Sequence, residues 1–309
     1  MKLVSTILCC HKINDQLFDS INSVLAQTYL NHELIVIFDN DNKDEFNLLV
    51  SKFIKKNILK IKFYQNKKNM GLTYSLNKAI SLSKGEYIMR QDSDDISENH
   101  RMINLVDYLN SNPNKDLVFS NVIIINDENK FIKFKKNFLY INKYFSTYNF
   151  RNTISHPSIM FKKNILKKIK IYDERFKVSQ DYELIHKILK NSRYSVGKLN
   201  KYLYKLRYSK NSISSIRSSE QLVNSVIIIF IYNYKFFEKY LNNFKSTEDM
   251  IGFIEENMKT YKQYSIYYSY LIFKKIPFKL LLNPLFIFHI SYRYLFHPNL
   301  LIKRIFRLI

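Results

Sequence analysis

Short apolar runs alternate with stretches of helical periodicity over roughly the first 100 residues of the chain. Four of these runs have the composition of buried strands: residues 3–10, 33–39, 61–65, and the run that ends at Asp92. Between them, apolar residues recur at helical spacing, first after an N-cap at Asn14 and last in the stretch that follows Gly71. This alternation predicts right-handed β-α-β units on a mainly parallel sheet, with a ligand crevice at the carboxyl ends of the strands.

The pattern changes at Leu117. Residues 117–126 and 130–135 flank the polar turn 127–129, which predicts an antiparallel hairpin, and residues 158–161 predict a further strand. Another amphipathic helix begins near Asp181. The fold class predicted from these elements is α/β, with a mixed sheet flanked by helices.

Three carboxylates crowd into four positions where the fourth strand ends, at Asp92, Asp94 and Asp95. Such carboxylates repel one another unless a cation lies among them, and oxygen ligands favour Mg²⁺ or Mn²⁺. The first interpretation is therefore a metal that joins this loop to a diphosphate. The alternative is a solvated acidic turn that precedes a helix starting near Ser97 and Glu98.

Asp39 follows the second predicted strand, so it is expected at the same sheet edge as Asp92. An acid at this position can hydrogen-bond a ribose or a base. The first strand runs into Cys9-Cys10-His11-Lys12 and lacks the glycine fingerprint of dinucleotide-binding folds, and no Walker phosphate loop is present. A nicotinamide or flavin dehydrogenase is therefore disfavoured.

Two further residues have both a structural and a catalytic interpretation. His156 precedes a proline, which is typical of a turn but also compatible with a place in a site. Asp181 opens a helix, where the helix dipole stabilises an anion whether or not the carboxylate takes part in catalysis.

Composition and charge widen the list of partners. Hydrophobic residues at 46% and aromatic residues at 16% indicate a folded protein. The net charge of +23 is uneven, because residues 1–110 carry only +1 whereas residues 111–309 carry the remaining +22. An anionic membrane surface, a nucleic acid, or surface lysines without a target would each account for this asymmetry.

The two cysteines are adjacent, so their side chains point to opposite faces of a strand and are not expected to pair. This favours a reducing compartment, and the amino terminus is interpreted as a strand and not as a signal peptide. Residues 221–244 are predicted to be helical. Residues 276–309 interleave aromatic and basic residues, which favours interfacial helices on an anionic leaflet over a spanning segment, with a helical cap or a self-association surface as the alternatives.

Several segments together carry a resemblance to a known family. They include VSTILCCHK, SVLAQT at residues 23–28, KGEYIMRQDSDD, ISHPS, SQDYEL and YKLRYSKNSIS. In order and spacing, these segments resemble the family 2 glycosyltransferases with the GT-A fold over roughly residues 3–214. The resemblance implies a catalytic domain at residues 1–215, and residues 216–309 are expected to form a helical, basic and aromatic extension.

The resemblance also implies roles for individual residues. Asp181 matches the general base. Asp94 matches the metal ligand and Asp92 a position toward ribose and metal, with Mn²⁺ or Mg²⁺ as the cofactor. The donor pocket would also take in Asp39, Gly71 and Asn77. His156 and Arg207 match positions near the diphosphate or the acceptor, although Arg207 is equally compatible with a surface charge.

Three positions depart from the family pattern: the Cys9-Cys10-His11 turn, Phe38 in place of an acid, and Gln180 in place of the glutamate before the base. The resulting expectation is an inverting hexosyl- or N-acetylhexosaminyltransferase that uses a nucleotide sugar, with UDP as the expected carrier. Its acceptor would be a surface glycan or glycolipid, such as a lipo-oligosaccharide (lipopolysaccharide), an O-antigen or a capsule. The expected location is cytoplasmic, peripheral on the inner face of the membrane. The alternatives are a noncatalytic sugar-nucleotide binder or assembly partner and, less favoured, a nucleic-acid-binding protein.

Overall fold

The computed structural model describes residues 1–57, 60–139, 141–142, 147–148, 153–167, 169, 171–190, 195–208, 218–233 and 240–258 of the chain. The chain divides into two compact units, Met1–Leu241 and Asn242–Ile309. The first unit therefore extends past residue 215, where the sequence places the end of the catalytic domain, and it includes a helix at Ser218–Asn233.

The first unit begins with alternating strands and helices: β1 Val4–Cys10, α1 Asp15–Leu25, β2 His32–Phe38, α2 Lys43–Asn57, β3 Ile61–Gln65, α3 Leu72–Leu82 and β4 Tyr87–Asp92. The four strands are parallel in the order β3-β2-β1-β4. The predicted β-α-β rhythm is confirmed. Because the chain first moves outward from β1 to β3 and then returns to the other side of β1, a crevice opens beyond the carboxyl ends of β1 and β4.

The second half of the unit adds β5 Ile96–Ser97, α4 Arg101–Ser111, β6 Leu117–Ile125, β7 Phe131–Lys135, β8 Ile141–Asn142, β9 Thr147–Tyr148, β10 Ile159–Lys162, α5 Gln180–Lys190, β11 Val196–Arg207 and α6 Ser218–Asn233. The main sheet has the order β3-β2-β1-β4-β10-β6-β11-β5, with β7 paired to β6. Strand β10 is antiparallel to both of its neighbours, and β7 is antiparallel to β6. The predicted hairpin and the predicted mixed sheet are confirmed.

The helix start predicted at Ser97 and Glu98 is wrong. Ser97 ends β5, its N–H donates to Ser23 Oγ at 3.0 Å, and its hydroxyl donates to Gln91 Oε1 at 2.6 Å. Since side chains of α1 and β4 bind both of these groups, Ser97 cannot cap a helix, and α4 begins only at Arg101.

Helical spacing in α1 explains the core on one side of the sheet. The Asn14 side chain accepts a hydrogen bond from the Leu17 N–H at 2.9 Å and so starts the helix. Leu17, Ile21 and Val24 are then fully buried against apolar residues of β1 and β2. Each such side chain contributes about 1.5–3 kcal/mol by leaving water. A second core cluster joins α4 to β4, β6 and β10.

The described part of the second unit contains α7, Thr247–Met258, on which Phe244 and Phe253 pack with ring centroids 5.1 Å apart. Among the described residues, no helix is both long and apolar enough to cross a bilayer. The interfacial helices predicted for residues 276–309 lie outside the described residues.

Candidate functional site

Asp39 closes the end of β2 and holds the loop that precedes α3. Its backbone N–H donates to the Cys10 carbonyl at 2.7 Å. Its buried carboxylate accepts hydrogen bonds from Asn66 Nδ2 at 2.6 Å and from the Met70 and Gly71 N–H groups, both at 2.8 Å. Gly71 has a φ of 90°, a conformation that glycine adopts readily. Asp39 therefore fixes the loop in which the sequence predicts donor contacts.

Asp92 lies at the end of β4, opposite Cys9 of β1. Its carboxylate forms an ion pair with the guanidinium of Arg90, whose side chain is 1% exposed while that of Asp92 is 29% exposed. The Asp92 N–H donates to the Tyr204 hydroxyl at 3.1 Å, and its carbonyl accepts a bond from Ser20 Oγ at 2.7 Å. The backbone is thus fixed on both sides, while the carboxylate keeps access to solvent.

Arg207, the last residue of β11, connects the loop that contains Asp92, Asp94 and Asp95, here called the acidic loop, to the β6–β7 turn. Its Nε donates to the Asp94 carbonyl at 2.7 Å, and its backbone N–H donates to Asp95 Oδ1 at 2.7 Å. Its Nη1 donates to the Asn126 and Asp127 carbonyls at 2.7 and 2.9 Å. The guanidinium is therefore buried and holds the loop from behind. The contact with a diphosphate or acceptor predicted for Arg207 remains a prediction.

The acidic loop carries more negative charge than its surroundings compensate. Burial, followed by the charge of Asp92, raises the pKa of Asp94 to about 6, against the opposing effect of Arg207. Burial and the same two neighbouring acids raise the pKa of Asp95, and its Oδ2 is buried without a hydrogen-bond partner in the structure. Carboxylate oxygens with these properties suit a hard divalent cation.

No three or more His, Cys, Asp or Glu residues are placed to hold a metal ion together, within the part of the chain that the structure describes. This arrangement is compatible with Mg²⁺ chemistry, because that ion is usually bound by one or two carboxylates and completed by substrate phosphates. The metal contact predicted for Asp92 and Asp94 remains a prediction.

Asp181 lies in the first turn of α5, two residues after Ser179, whose φ is 65°. The negative charge of Asp181 raises the pKa of two neighbouring groups, the hydroxyl of Tyr172 and the ammonium group of Lys135. The Tyr172 hydroxyl lies 2.8 Å from His156 Nε2. Burial raises the pKa of Tyr172, whereas burial and the charge of Arg90 hold the pKa of His156 well below its ordinary value. This buried pair is therefore neutral near pH 7.

The predicted acids share neighbours at one edge of the sheet. Strand β1 separates β2 from β4, so Asp39 and Asp92 lie roughly 10 Å apart on either side of the end of β1. Burial raises the pKa of Cys9 to about 12, and both acids add to this increase. In the same way, the charges of Asp92 and Asp181 both act on Tyr172. The sequence separations are large, yet each of the three carboxylates lies close enough to Cys9 or Tyr172 to raise the pKa of that residue.

Asn77, on α3, is hydrogen-bonded to the backbone of Tyr172. Its Nδ2 donates to the Tyr172 carbonyl and to Glu174 Oε1, each at 3.0 Å, and its Oδ1 accepts a bond from the Tyr172 N–H at 3.2 Å. The amide thus holds the Tyr172 segment, and the donor contact predicted for Asn77 remains a prediction.

The departures from the family pattern occupy buried positions, except for His11, which is exposed. Cys9 and Cys10 are free and buried, which confirms that they do not pair. Phe38 is a core residue whose ring stacks on that of Phe46, with centroids 6.2 Å apart. Gln180 is the buried first residue of α5.

Sequence reasoning missed three residues that border the site: Arg90, Tyr172 and Lys135. Lys135 Nζ donates to Ser155 Oγ at 3.0 Å, next to His156 in the chain. Arg90 had a recognisable signal, because an arginine inside an otherwise apolar strand must find a charged partner, and an acid follows two residues later. Tyr172 and Lys135 are brought to the site only by the folding of distant segments.

The sequence of this chain is similar to those of known glycosyltransferases. The model of the Glycosyl transferase family 2 matches residues 5–176. An uncharacterized glycosyltransferase of Methanocaldococcus jannaschii is 32% identical over 222 residues, which are 71% of this chain and 76% of that protein. The O-antigen biosynthesis glycosyltransferase WbnJ of Escherichia coli is 31% identical over 191 residues, 61% of this chain and 72% of that protein.

Two solved structures share the GT-A fold. One is S. aureus TarS 1-349 in complex with UDP, with a TM-score of 0.55 and 19% identity over 75% of this chain. The other is the mannosyltransferase PcManGT of Pyrobaculum calidifontis in complex with GDP-Man and Mn²⁺, with a TM-score of 0.55 and 14% identity over 79% of this chain. The match spans 65% of each of those two chains.

Proposed function

The chain belongs to glycosyl transferase family 2, and we propose that it is an inverting enzyme that transfers a sugar from a nucleotide-diphosphate donor to a hydroxyl of a growing surface glycan. The proposed donor is a UDP-sugar, and the proposed acceptor belongs to a lipo-oligosaccharide, an O-antigen or a capsule. The relative named for O-antigen biosynthesis supports this acceptor class, and the UDP complex of a fold relative supports the nucleotide.

The placement of two acids carries the proposal: Asp92 ends β4, Asp181 opens α5, and both carboxylates lie close enough to the buried Tyr172 hydroxyl to raise its pKa. A transferase of this kind needs an acid near the leaving diphosphate and a second acid near the attacking hydroxyl. The shared neighbour supports placing Asp92 in the first role and Asp181 in the second.

Asp181 is the proposed general base. The acceptor hydroxyl oxygen attacks the anomeric carbon from the side opposite the diphosphate, and the bond between that carbon and the diphosphate oxygen breaks. The acceptor proton passes to the Asp181 carboxylate, and the nucleoside diphosphate leaves with the electron pair. No covalent enzyme intermediate is required, which agrees with inversion at the sugar carbon.

Asp92 and Asp94 are the proposed ligands of Mn²⁺ or Mg²⁺. A bound divalent ion would stabilise the charge that develops on the leaving diphosphate. Arg90 orients the Asp92 carboxylate, and Arg207 positions the backbone of Asp94. Asp39 and the Gly71 loop would contact the nucleoside and sugar side of the donor.

We also propose a peripheral location on the inner face of the cytoplasmic membrane, where such acceptors are assembled. The support is the strongly basic character of residues 111–309. In this proposal the catalytic site lies in the first unit.

The decisive experiment compares two first-turn acids. Asp181→Asn should lower the transfer rate by about 10²–10⁴-fold while donor binding is kept. Glu248, in the first turn of α7, is the control, because Glu248→Gln removes the same kind of helix-dipole contact in the second unit, outside the unit that holds the proposed site. Both variants should lose no more than about 1 kcal/mol of stability.

The assay first screens UDP- and GDP-sugars by thermal shift with and without Mn²⁺, since a bound donor stabilises the folded state by mass action. Release of the nucleoside diphosphate is then measured with the best donor. Transfer by Asp181→Asn within about tenfold of the parent rate would refute the assigned base. Failure of every nucleotide sugar to stabilise the protein would refute the proposed donor class.

A further inference from the structure

Strand β7 presents large apolar side chains to solvent next to lysines. We define the hairpin patch as residues 131–136, in which Phe131, Ile132 and Phe134 are 58%, 45% and 60% exposed. Every residue of β7 is exposed although the strand is paired with β6. Exposed apolar side chains are hydrated unfavourably, and a partner that covers them lowers the free energy.

A β-bulge brings the two phenylalanines together. Ile124 pairs with Lys133, and Ile125 pairs with Phe131, so Ile132 is the extra residue. Strict alternation would place Phe131 and Phe134 on opposite faces of the strand. The extra residue moves them to one side, where their ring centroids lie 4.9 Å apart. Phe134 also contacts Tyr202 of β11 at 4.6 Å, which extends the aromatic surface.

The charged residues of the hairpin patch are all lysines. Lys133 and Lys136 are exposed within the hairpin patch, and no acidic residue occurs between Lys130 and Lys136. Lys130 is paired with Glu128, and Lys135 is bound to Ser155, so Lys133 and Lys136 are the cations available to a partner. Exposed phenylalanine and isoleucine beside lysines are typical of surfaces that enter the headgroup region of an anionic bilayer.

We propose that the hairpin patch docks onto an anionic lipid surface, with Phe131 and Phe134 entering the interface and Lys133 and Lys136 facing the headgroups. A second copy of the chain is a poorer occupant, because pairing β7 with itself would bring like-charged lysines together. An oligosaccharide is also poorer, because the hairpin patch offers rings and aliphatic groups but few hydrogen-bonding groups besides its lysines.

This surface is rigidly connected to the site. The β6–β7 turn is held by Arg207, which also holds the Asp94 loop, and the Tyr208 N–H donates to the Ile125 carbonyl at 2.9 Å. A bilayer against the hairpin patch would therefore lie at a fixed position relative to the acidic loop. The docking proposal itself does not depend on the proposed transferase activity.

The chain contains no tryptophan, so a single introduced tryptophan reports on one position only. Phe131→Trp and Phe134→Trp are made in the full chain, with Leu30→Trp as the control at another exposed apolar residue, 70% exposed. Each variant is mixed with vesicles of phosphatidylcholine alone or of phosphatidylcholine with about 30% phosphatidylglycerol. The acyl chains of both kinds of vesicle carry bromine as a short-range quencher. Circular dichroism checks that each variant is folded.

The proposal expects quenching and a blue shift for tryptophan at 131 and at 134 with anionic vesicles, and neither change for Leu30→Trp. Phosphatidylcholine alone should give little quenching. The double change Phe131→Ser and Phe134→Ser should lower vesicle partitioning about tenfold or more, and Lys133→Gln about fivefold.

Two results would overturn the proposal. If the protein floats with vesicles while tryptophan at 134 is unquenched, another segment makes the contact. If the emission of Phe134→Trp shifts with protein concentration in the absence of lipid, and vesicles add nothing, the occupant is a second copy. Neither readout requires a donor or a metal, so failure here leaves the proposed function to its own test.

Discussion

The guanidinium of Arg90 forms an ion pair with the carboxylate of Asp92, two residues further along β4 on the same face of the strand. The two partners differ in their surroundings, because the Arg90 side chain is 1% exposed and that of Asp92 is 29% exposed. Removing one partner therefore has a different cost from removing the other.

Asp92→Ala should destabilise the protein by about 3 kcal/mol, because it leaves a buried guanidinium without its counter-charge. Arg90→Met fills a similar volume with apolar atoms and leaves a carboxylate that water can reach, so it should cost only about 1 kcal/mol. Urea unfolding of both variants measures the difference. A larger loss for Arg90→Met would mean that the guanidinium contributes mainly through its bonds to the Ile7 and Gln91 carbonyls.

The sequence predicted the β-α-β half of the fold well because local and tertiary signals agree there. Apolar runs bounded by polar loops indicated β1 to β4, and the Asn14 cap fixed the start of α1. The error at Ser97 arose because a serine suited to a helix cap was used instead by side chains of α1 and β4. Contacts of that kind depend on tertiary structure and leave no periodic trace.

Two glycines should respond to alanine in opposite directions. A Cβ at Gly71 or at Gly252 would meet nothing within 4 Å, so neither substitution causes a clash. Gly71 has a φ of 90°, and Gly71→Ala should cost about 1–2 kcal/mol in backbone strain. Gly252 lies inside α7, where alanine should stabilise the helix by about 0.5–1 kcal/mol.

Thermal unfolding followed by circular dichroism measures both effects. Gly71→Asn should cost about as much as Gly71→Ala, because the ψ of 159° at Gly71 lies outside the left-handed helical region that asparagine tolerates. A much smaller loss for asparagine than for alanine would show that the backbone of the variants relaxes out of this conformation.

Arg207 is expected to support metal binding through the position of Asp94. Arg207→Met leaves the Asp94, Asn126 and Asp127 carbonyls without their donor and should lower the affinity for Mn²⁺ about tenfold or more. Mn²⁺ titration followed by thermal shift measures this affinity. Lys205→Met is the control on the same strand, because its partly exposed ion pair with Glu98 is worth less than about 1 kcal/mol. An unchanged Mn²⁺ affinity in Arg207→Met would remove Arg207 from this role.

The site was predictable as a set of acids but not as a network. Asp39, Asp92 and Asp181 follow strands or open a helix, which sequence patterns reveal. The contacts of Arg207 with the acidic loop join residues more than 110 positions apart. Nothing in the local sequence distinguishes such an arginine from a surface charge, so its burial had to be learned from the structure.

The last prediction concerns His156, whose folded-state pKa lies well below its ordinary value because of burial and the nearby charge of Arg90. A histidine that is neutral in the folded state and protonated in the unfolded state lowers stability as pH falls below about 6.5. The loss has a maximum slope of about 1.4 kcal/mol per pH unit, and it stops once pH falls below the folded-state pKa.

His156→Gln keeps a partner for the Tyr172 hydroxyl and removes this titration, so its unfolding free energy should depend less on pH between about 6.5 and 5. Urea unfolding at several pH values tests this, with His11→Gln at an exposed position as the control. Part of the slope should remain, because burial also lowers the pKa of His32. A pH profile of His156→Gln that matches the parent would show that His156 does not carry the predicted proton linkage.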